Sequence, residues 1–379
     1  MSLFDFLKKK ETSVVGIDIG ASSIKVVQLK KRQGVAVLET YGELSLGPYS
    51  DAEIGQATNL PASKIAEALK DLLIEANVTA KKAGVSIPFS SSLISLILMP
   101  ALNPKNLSSM IPIEARKYIP VPISEVTLDW FVVPDEGSSF DEDYEYGGQI
   151  NEDSVKKTEG GKKIKVLLVA IHNDILNKYN EIINSTDLAV GFFEIEIFSA
   201  IRAVVEQSII PTMVIDMGAR DTKLYIVEFG IIKASHVINS GAQDITQTLS
   251  KSLSISISKA EESKRKSGII ENFGDNKIVD SKDIIVSALE RIFTEANRVM
   301  TQYQQKNNKN IGNVILTGSG AMMKGILPVA EKHFETSVTI SDPFSKTKSP
   351  AFLEEILKEV GPGFAVAVGL ALRRLQEID

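Results

Sequence analysis

Val15-Gly16-Ile17-Asp18-Ile19-Gly20-Ala21-Ser22-Ser23-Ile24-Lys25 and Val214-Ile215-Asp216-Met217-Gly218-Ala219-Arg220-Asp221-Thr222-Lys223 carry one pattern twice. In each copy an Asp is followed two residues on by Gly, then by Ala, and seven residues on by Lys. Val14–Ile19 reads as a buried strand, 24–29 as the next, with a tight turn between them. Gly20 lets the backbone approach a ligand with no Cβ in the way. Successive turn amides form an anion-binding concavity, to which the Ser22 and Ser23 hydroxyls add donors. A carboxylate beside phosphates makes sense when Mg²⁺ lies between them, bound through water, which is the role expected of Asp18 and Asp216. Gly218, Ala219 and the basic Arg220 complete the second copy. One copy alone is equally a plain Gly hairpin. Two copies so far apart predict a duplicated core gripping one phosphate chain from both sides. The two lysines are expected to point to solvent from the second strand and are assigned no role.

Composition narrows the rest. A chain of 379 residues predicts two domains or lobes, and 44% hydrophobic content suffices to bury them. A net charge of −6 argues against a nucleic-acid binder. With no cysteine and three scattered histidines, thiolate chemistry is excluded and a His-based zinc site is disfavoured. No run approaches the length that spans a bilayer. Met1–Lys10 is expected to be a short docking tail or, alternatively, a weak membrane-surface foot.

Along the chain, strands are expected at 35–46, 83–88, 93–99, 126–133, 164–171, 190–195, 229–238 and 313–317. Helices are expected from Pro61 and over 106–118, 173–185, 197–207, 243–253, 258–266, 281–305 and 363–376. Residues 134–163 are acidic and nearly devoid of large aliphatics, so they read as a surface loop. Gly318, Ser319 and Gly320 follow a strand and precede a helix, where amides can meet a nucleotide; Met323 at the third glycine position removes the dinucleotide fingerprint. Glu261 and Lys264 share a helix face, as a ribose clamp or an ordinary ion pair. Glu194 and Glu196 end a strand, where one could position a hydrolytic water.

Together these blocks resemble the actin, sugar kinase and heat-shock-70 ATPase superfamily. Asp18 to Ser23 is similar to its first phosphate loop, Asp216 to Asp221 to its second, and Gly318 to Ala321 to its adenosine segment. Glu196 with Ser199-Ala200 resembles the first connecting helix, and 363–373 the second. Within the superfamily the chain resembles the PilM family of type IV pilus assembly proteins, relatives of the division protein FtsA. The carriers are the basic start, the first phosphate loop, Glu114-Ala-Arg-Lys-Tyr-Ile-Pro-Val-Pro-Ile-Ser-Glu-Val, and Ser240-Gly241-Ala-Gln-Asp-Ile-Thr, which brings Gly241 into the nucleotide set.

The resemblance implies an α/β, two-lobed actin-like fold with an FtsA-like inserted subdomain. Residues 1–84 and 172–211 would form the first lobe and 85–171 the insertion. Residues 212–245 and 312–379 would form the second lobe, with a helical subdomain at 246–311. ATP and Mg²⁺ would lie between the lobes, with Asp18 and Glu196 catalytic. The partner would be the N-terminal cytoplasmic peptide of the membrane protein PilN. The protein would then be cytoplasmic and meet the inner membrane only indirectly. Arg220 and Asp221 stand where strong ATPases of the superfamily carry glycines and Thr, so tight binding with slow or no turnover is expected. The alternatives are a self-associating bacterial actin-like filament protein and, behind it, a sugar-type kinase.

Overall fold

The computed structural model describes residues 12–102, 104–133, 163–206, 209–270 and 281–378. The N-terminal tail and the acidic segment up to residue 162 lie outside the described residues.

The chain opens with β1 (Ser13–Ile19), β2 (Ser23–Arg32), β3 (Val35–Ser45), α1 (Ala62–Glu75) and β4 (Lys82–Ile87). Next come β5 (Ser92–Pro100), α2 (Pro104–Ala115), β6 (Val126–Val133), β7 (Lys163–His172), α3 (Asn173–Asn184), β8 (Ala189–Ile195) and α4 (Glu196–Val204). The remainder is β9 (Thr212–Met217), β10 (Thr222–Glu228), β11 (Ile231–Ile238), α5 (Ala242–Leu253), α6 (Ile257–Lys266), α7 (Ser281–Asn307), β12 (Asn313–Thr317), α8 (Ile326–Glu331), β13 (Ser337–Ile340), α9 (Glu354–Val360) and α10 (Ala365–Gln376). Short elements such as β13 and α8 carry too few residues to show a period, and the sequence reading does not anticipate them.

Contacts divide the chain into two units, Met1–Ser86 with Ile182–Asp379, and Ile87–Glu181. The larger unit holds two five-stranded sheets, ordered β3-β2-β1-β4-β8 and β11-β10-β9-β12-β13. Each is an antiparallel meander of three strands whose first strand also pairs in parallel with a later one. The duplication extends past the Asp-Gly motif. β2 and β3 are joined by Gln33 and Gly34, both at positive φ, and β10 and β11 by Phe229 and Gly230, again both at positive φ. A two-residue loop with both φ positive matches the twist of a hairpin, and it holds Phe229 in a conformation that non-glycine residues seldom adopt.

The second sheet buries Ile215, Met217 and Leu224 against Leu289, Ile292 and Phe293 of α7. The first packs Val14, Val27 and Leu29 against Ala367, Val368 and Ala371 of α10. Thus α10 follows the second sheet in sequence but lies on the first. Its approach is close: a Cβ on Gly16 would stand 2.0 Å from the Ala367 carbonyl oxygen, and one on Gly369 would stand 1.8 Å from that of Ser199. Small residues at both crossings let backbone meet backbone.

The smaller unit is an antiparallel sheet ordered β5-β7-β6. Leu107, Ile111 and Ala115 of α2 cover Ile97, Met99, Val166, Leu168 and Ala170 on one of its faces. Alternation along β5 leaves Leu96 and Leu98 exposed.

Candidate functional site

The two Asp-Gly loops close by the same bond. Gly20 N–H donates to the Ser23 carbonyl and Gly218 N–H to that of Asp221, each at 3.0 Å. Each turn sets the cross-strand register, so that Asp18 faces Lys25 and Asp216 faces Lys223. Directly opposed residues of an antiparallel pair put their side chains on one face of the sheet. Both lysines are therefore held beside their aspartates. Lys25 is 8% exposed and the side chain of Lys223 is 12% exposed, so neither points to solvent. The signal lay in the seven-residue Asp-to-Lys spacing, which such a turn converts into a facing pair.

The lysines tie the lobes to each other. Lys25 Nζ, on the first lobe, donates to Ser319 Oγ of the second at 3.0 Å and also lies 3.5 Å from Glu43. Lys223 Nζ, on the second lobe, pairs at 3.1 Å with Glu196, the first residue of α4 after the first sheet, and lies 3.4 Å from Asp221. Asp18 accepts a hydrogen bond from Ser86 Oγ at 2.9 Å, and that hydroxyl accepts the Ile19 N–H. Ser86, like the lysines, escapes the sequence reading; it is positioned by the parallel pairing of β4 with β1.

Burial dominates the electrostatics. It pushes the Asp18 carboxyl above its ordinary value; Lys25, Ser86 and Lys223 pull against it and Glu196 adds to it. Asp216 is likewise raised by burial, with Lys223 opposing and Asp18 and Asp221 reinforcing. Lys223 loses solvation too, but Glu196, Asp216 and Asp221 outweigh that loss and hold it charged. The two aspartates thus lie buried near each other, and the lysines do not offset the burial that raises both. That donor set fits a hydrated cation, since a further positive charge relieves both. Among the described residues no group of three or more His, Cys, Asp or Glu could hold a metal directly. A water-mediated ion needs no such cage.

The remaining expected residues fall around this centre. Gly318 has φ +82°, and a Cβ there would stand 2.4 Å from Asp216 Oδ1, so only glycine brings this loop against the carboxylate. A Cβ on Gly320 would stand 2.7 Å from Met217 Cβ. Ala21 and Ser22 turn their carbonyls to their own lobe, accepting the N–H groups of Thr58 and Leu46. Gly218 and Ala219 do the same with those of Ala242 and Gln243. Gly241 lets α5 start against the second loop, because a Cβ would stand 2.5 Å from the Ala219 carbonyl oxygen. The Ser23 hydroxyl is within 3.3 Å of Lys25 Nζ.

Three expected residues are engaged elsewhere. Arg220 donates to the Thr58 carbonyl at 2.7 Å. Lys264 directs its three donors to the Ala242 carbonyl, Thr246 Oγ1 and Glu261, while Glu261 also accepts from Arg265. This buried pair binds α5 to α6. The two glutamates at the end of β8 separate cleanly. Glu194 is buried among Arg202, Arg373 and Ser199, which hold its carboxyl below the usual range against the opposing effect of burial. Glu196 instead faces Lys223 and the Asp18 side of the cleft. Strand alternation alone would put the two on one face; the strand-to-helix junction between them redirects the second.

A family model described as type IV pilus assembly protein PilM matches residues 16–145 and 151–375. Among solved structures, the chain is similar to a PilM–PilN type IV pilus biogenesis complex, with 22% identity, 96% of this chain and 98% of that chain covered, and a TM-score of 0.77. It is also similar to the ethanolamine utilization protein EutJ from Carboxydothermus hydrogenoformans, at 14% identity over 95% of this chain and 89% of that one, with a TM-score of 0.55. Among curated proteins, it is 23% identical over 265 residues to the cell division protein FtsA of Buchnera aphidicola, covering 63% of this chain and 60% of that protein. The chain therefore spans less than two thirds of that relative. The fold expected from the sequence, two-lobed and actin-like, is the one observed. Among the described residues no helix is long and apolar enough to cross a membrane.

Proposed function

The chain belongs to the PilM family of type IV pilus assembly proteins, and we propose that it is the nucleotide-dependent scaffold of a pilus assembly platform, binding ATP with Mg²⁺ between its two lobes. One observation carries this reading. Both Asp-Gly loops, closed by the same bond, deliver buried aspartates to a centre that Lys25 and Lys223 reach from opposite lobes. Turn amides, two lysines and the Ser22 and Ser23 hydroxyls suit a triphosphate. Asp18 and Asp216 would hold Mg²⁺ through water; when bound, that ion supplies the charge neutralisation the carboxylates lack. The Gly318–Gly320 segment and Gly241 would border the nucleoside.

Hydrolysis would be slow. Glu196 is the candidate base, but Lys223 holds its carboxylate at 3.1 Å, and the second loop carries Asp221 where phosphate would sit. Nucleotide would act by biasing the angle between the lobes, since it would contact both.

The solved PilM–PilN complex supports a partner of the same kind. We take it to be the N-terminal cytoplasmic peptide of a PilN-type membrane protein, which would hold this chain at the inner face of the membrane. The unit Ile87–Glu181 would correspond to the FtsA-like inserted subdomain. Calorimetric titration of the whole chain with Mg-ATP, with and without chelator, tests the site; a chain that binds neither ATP nor ADP refutes it. Capture by a synthetic PilN N-terminal peptide tests the partner. ATP-dependent pelleting without peptide capture would favour the filament reading.

A further inference from the structure

The segment between β3 and α1 has no place in the site described above. Both of its ends are rooted on the first phosphate loop: Leu46 N–H donates to the Ser22 carbonyl at 2.9 Å, and Thr58 N–H to that of Ala21 at 2.8 Å. Its middle reaches the other lobe at four points. The Glu53 carboxylate accepts the N–H of Ser258, in the first turn of α6. Gly55, at φ +88°, presses on Glu261 so closely that a Cβ would stand 2.5 Å from that carboxyl carbon. Ala57 N–H donates to Gln243 Oε1 of α5 at 3.0 Å. The Thr58 carbonyl takes the Arg220 guanidinium at 2.7 Å.

Those four partners belong to the second phosphate loop, α5 and α6, the elements that face the cleft from the second lobe. A stretch of six residues, Glu53 to Thr58, thus bridges the two lobes beside both phosphate loops. Its bonds to the other lobe are made by backbone groups and by the Glu53, Gln243 and Arg220 side chains, and those of Glu53 and Arg220 are exposed. Such contacts open locally at far lower cost than the apolar cores beneath them.

We infer that the strap at residues 53–58 is the gate of the nucleotide cleft, closing it through the Glu53, Ala57 and Thr58 contacts and releasing as one unit. The inference rests on the nucleotide reading above. It adds that entry and exit of nucleotide are both limited by strap opening, and that opening frees Arg220 while slackening the Ala21 carbonyl that Thr58 holds. Strap position is therefore coupled to the geometry of the first phosphate loop.

Gln243→Ala tests this. The substitution keeps the α5 backbone and removes only the acceptor for Ala57. Two readouts are taken on the full-length chain. Amide hydrogen exchange follows Ser258, whose own bond to Glu53 is untouched. Stopped-flow fluorescence with a fluorescent ATP analogue follows association and dissociation. The strap gate requires Ser258 to exchange about fivefold faster, the factor one net hydrogen bond is worth. It also requires both nucleotide rates to rise by a similar factor, leaving affinity within about twofold, because a gate changes a barrier and not an equilibrium. Glu53→Ala is the reciprocal variant and should loosen the Ala57 amide. Unchanged exchange at the untouched partner in both variants overturns the unit behaviour, and with it the gate. Weaker affinity with an unchanged association rate overturns it too, since the strap would then be part of the binding surface. If the parent chain binds no nucleotide, the nucleotide reading fails by itself, and hydrogen exchange still decides whether the strap latches the lobes.

Discussion

Replacing Asp216 by Asn should make the free protein more stable and the nucleotide-loaded protein less so. Asp216 is 6% exposed and held by burial above the ordinary aspartate value of 3.8, with Asp18 and Asp221 adding to the rise. A carboxyl raised in the folded state binds its proton more tightly there than in the unfolded chain. Its contribution is whole below the unfolded pKa and is lost as pH rises through the folded one. At pH 8 the charged group is therefore a burden. The amide removes that charge without stranding Lys223, which keeps Glu196 at 3.1 Å and Asp221 at 3.4 Å. The expected gain is about 0.5–2 kcal/mol, the range of a single stabilising substitution. It should shrink as pH falls and be gone below the ordinary aspartate value of 3.8, where the carboxyl is protonated in the folded and the unfolded chain alike. In excess Mg-ATP the order should reverse. At a hundred times its Kd a ligand stabilises the folded state by about 2.7 kcal/mol, and the variant should forfeit most of this. Thermal unfolding followed by circular dichroism, at pH 4 and 8 and with and without Mg-ATP, reads all four states. A variant that is weaker at pH 8 without ligand would show that Lys223 fully compensates Asp216. One that keeps the full ligand stabilisation would remove Asp216 from the site.

Lys223→Met should cost about 3–5 kcal/mol at pH 8, because it leaves the buried Asp216 and the half-buried Glu196 without their cation; urea unfolding should show the loss shrinking at lower pH as the raised Asp216 carboxyl protonates. Lys223 itself is held charged well above its ordinary value, so its own contribution should stay constant between pH 5 and 9. Gly369→Ala should cost about 1–3 kcal/mol, since a Cβ 1.8 Å from the Ser199 carbonyl forces α4 and α10 apart; an unchanged Tm would contradict the close crossing. Glu194→Gln should cost about 3 kcal/mol through Arg202 and Arg373 while leaving Mg-ATP affinity unaltered in the folded fraction. Glu196→Gln should lower ATP turnover and should also cost stability, since it takes a charged partner from Lys223.

The parts of the fold that the sequence discloses are those with a period or a punctuating residue. The strand at 313–317 and the long helix from Ser281 are found within two residues of their observed ends, since three consecutive large aliphatics or seven turns leave a clear trace. The duplicated hairpin is legible because glycine is needed twice for the same turn. What stays hidden depends on tertiary placement. Lys25 and Lys223 look like exposed strand residues until the register puts them opposite Asp18 and Asp216. The Phe229-Gly230 turn conceals the equivalence with Gln33-Gly34, because its first residue adopts a conformation that Phe does not advertise. The pair Glu261 and Lys264 is read correctly as neighbours, yet nothing in the local sequence tells that Ala242 and Thr246 would consume the ammonium.

The duplication is not symmetric, and the asymmetry bears on how the lobes communicate. In the first sheet the row across three strands is Asp18, Lys25, Glu43, an alternation of charge. In the second it is Asp216, Lys223, Val237, so the third carboxylate is missing. Lys223 makes up that deficit from the other lobe by taking Glu196, while Lys25 reaches back to Ser319. Each lobe thus lends its lysine to the other. A triphosphate entering between them would draw on both lysines at once and so loosen both ties together, replacing two protein contacts with one shared ligand. Because Lys223 gives up a charged partner and Lys25 only a hydroxyl, the two exchanges differ in cost. The tie through Glu196 is the one whose loss would be felt more strongly. Loss of a terminal phosphate would return Lys223 to Glu196 first, which makes the start of α4 the point where the nucleotide state would be converted into lobe position.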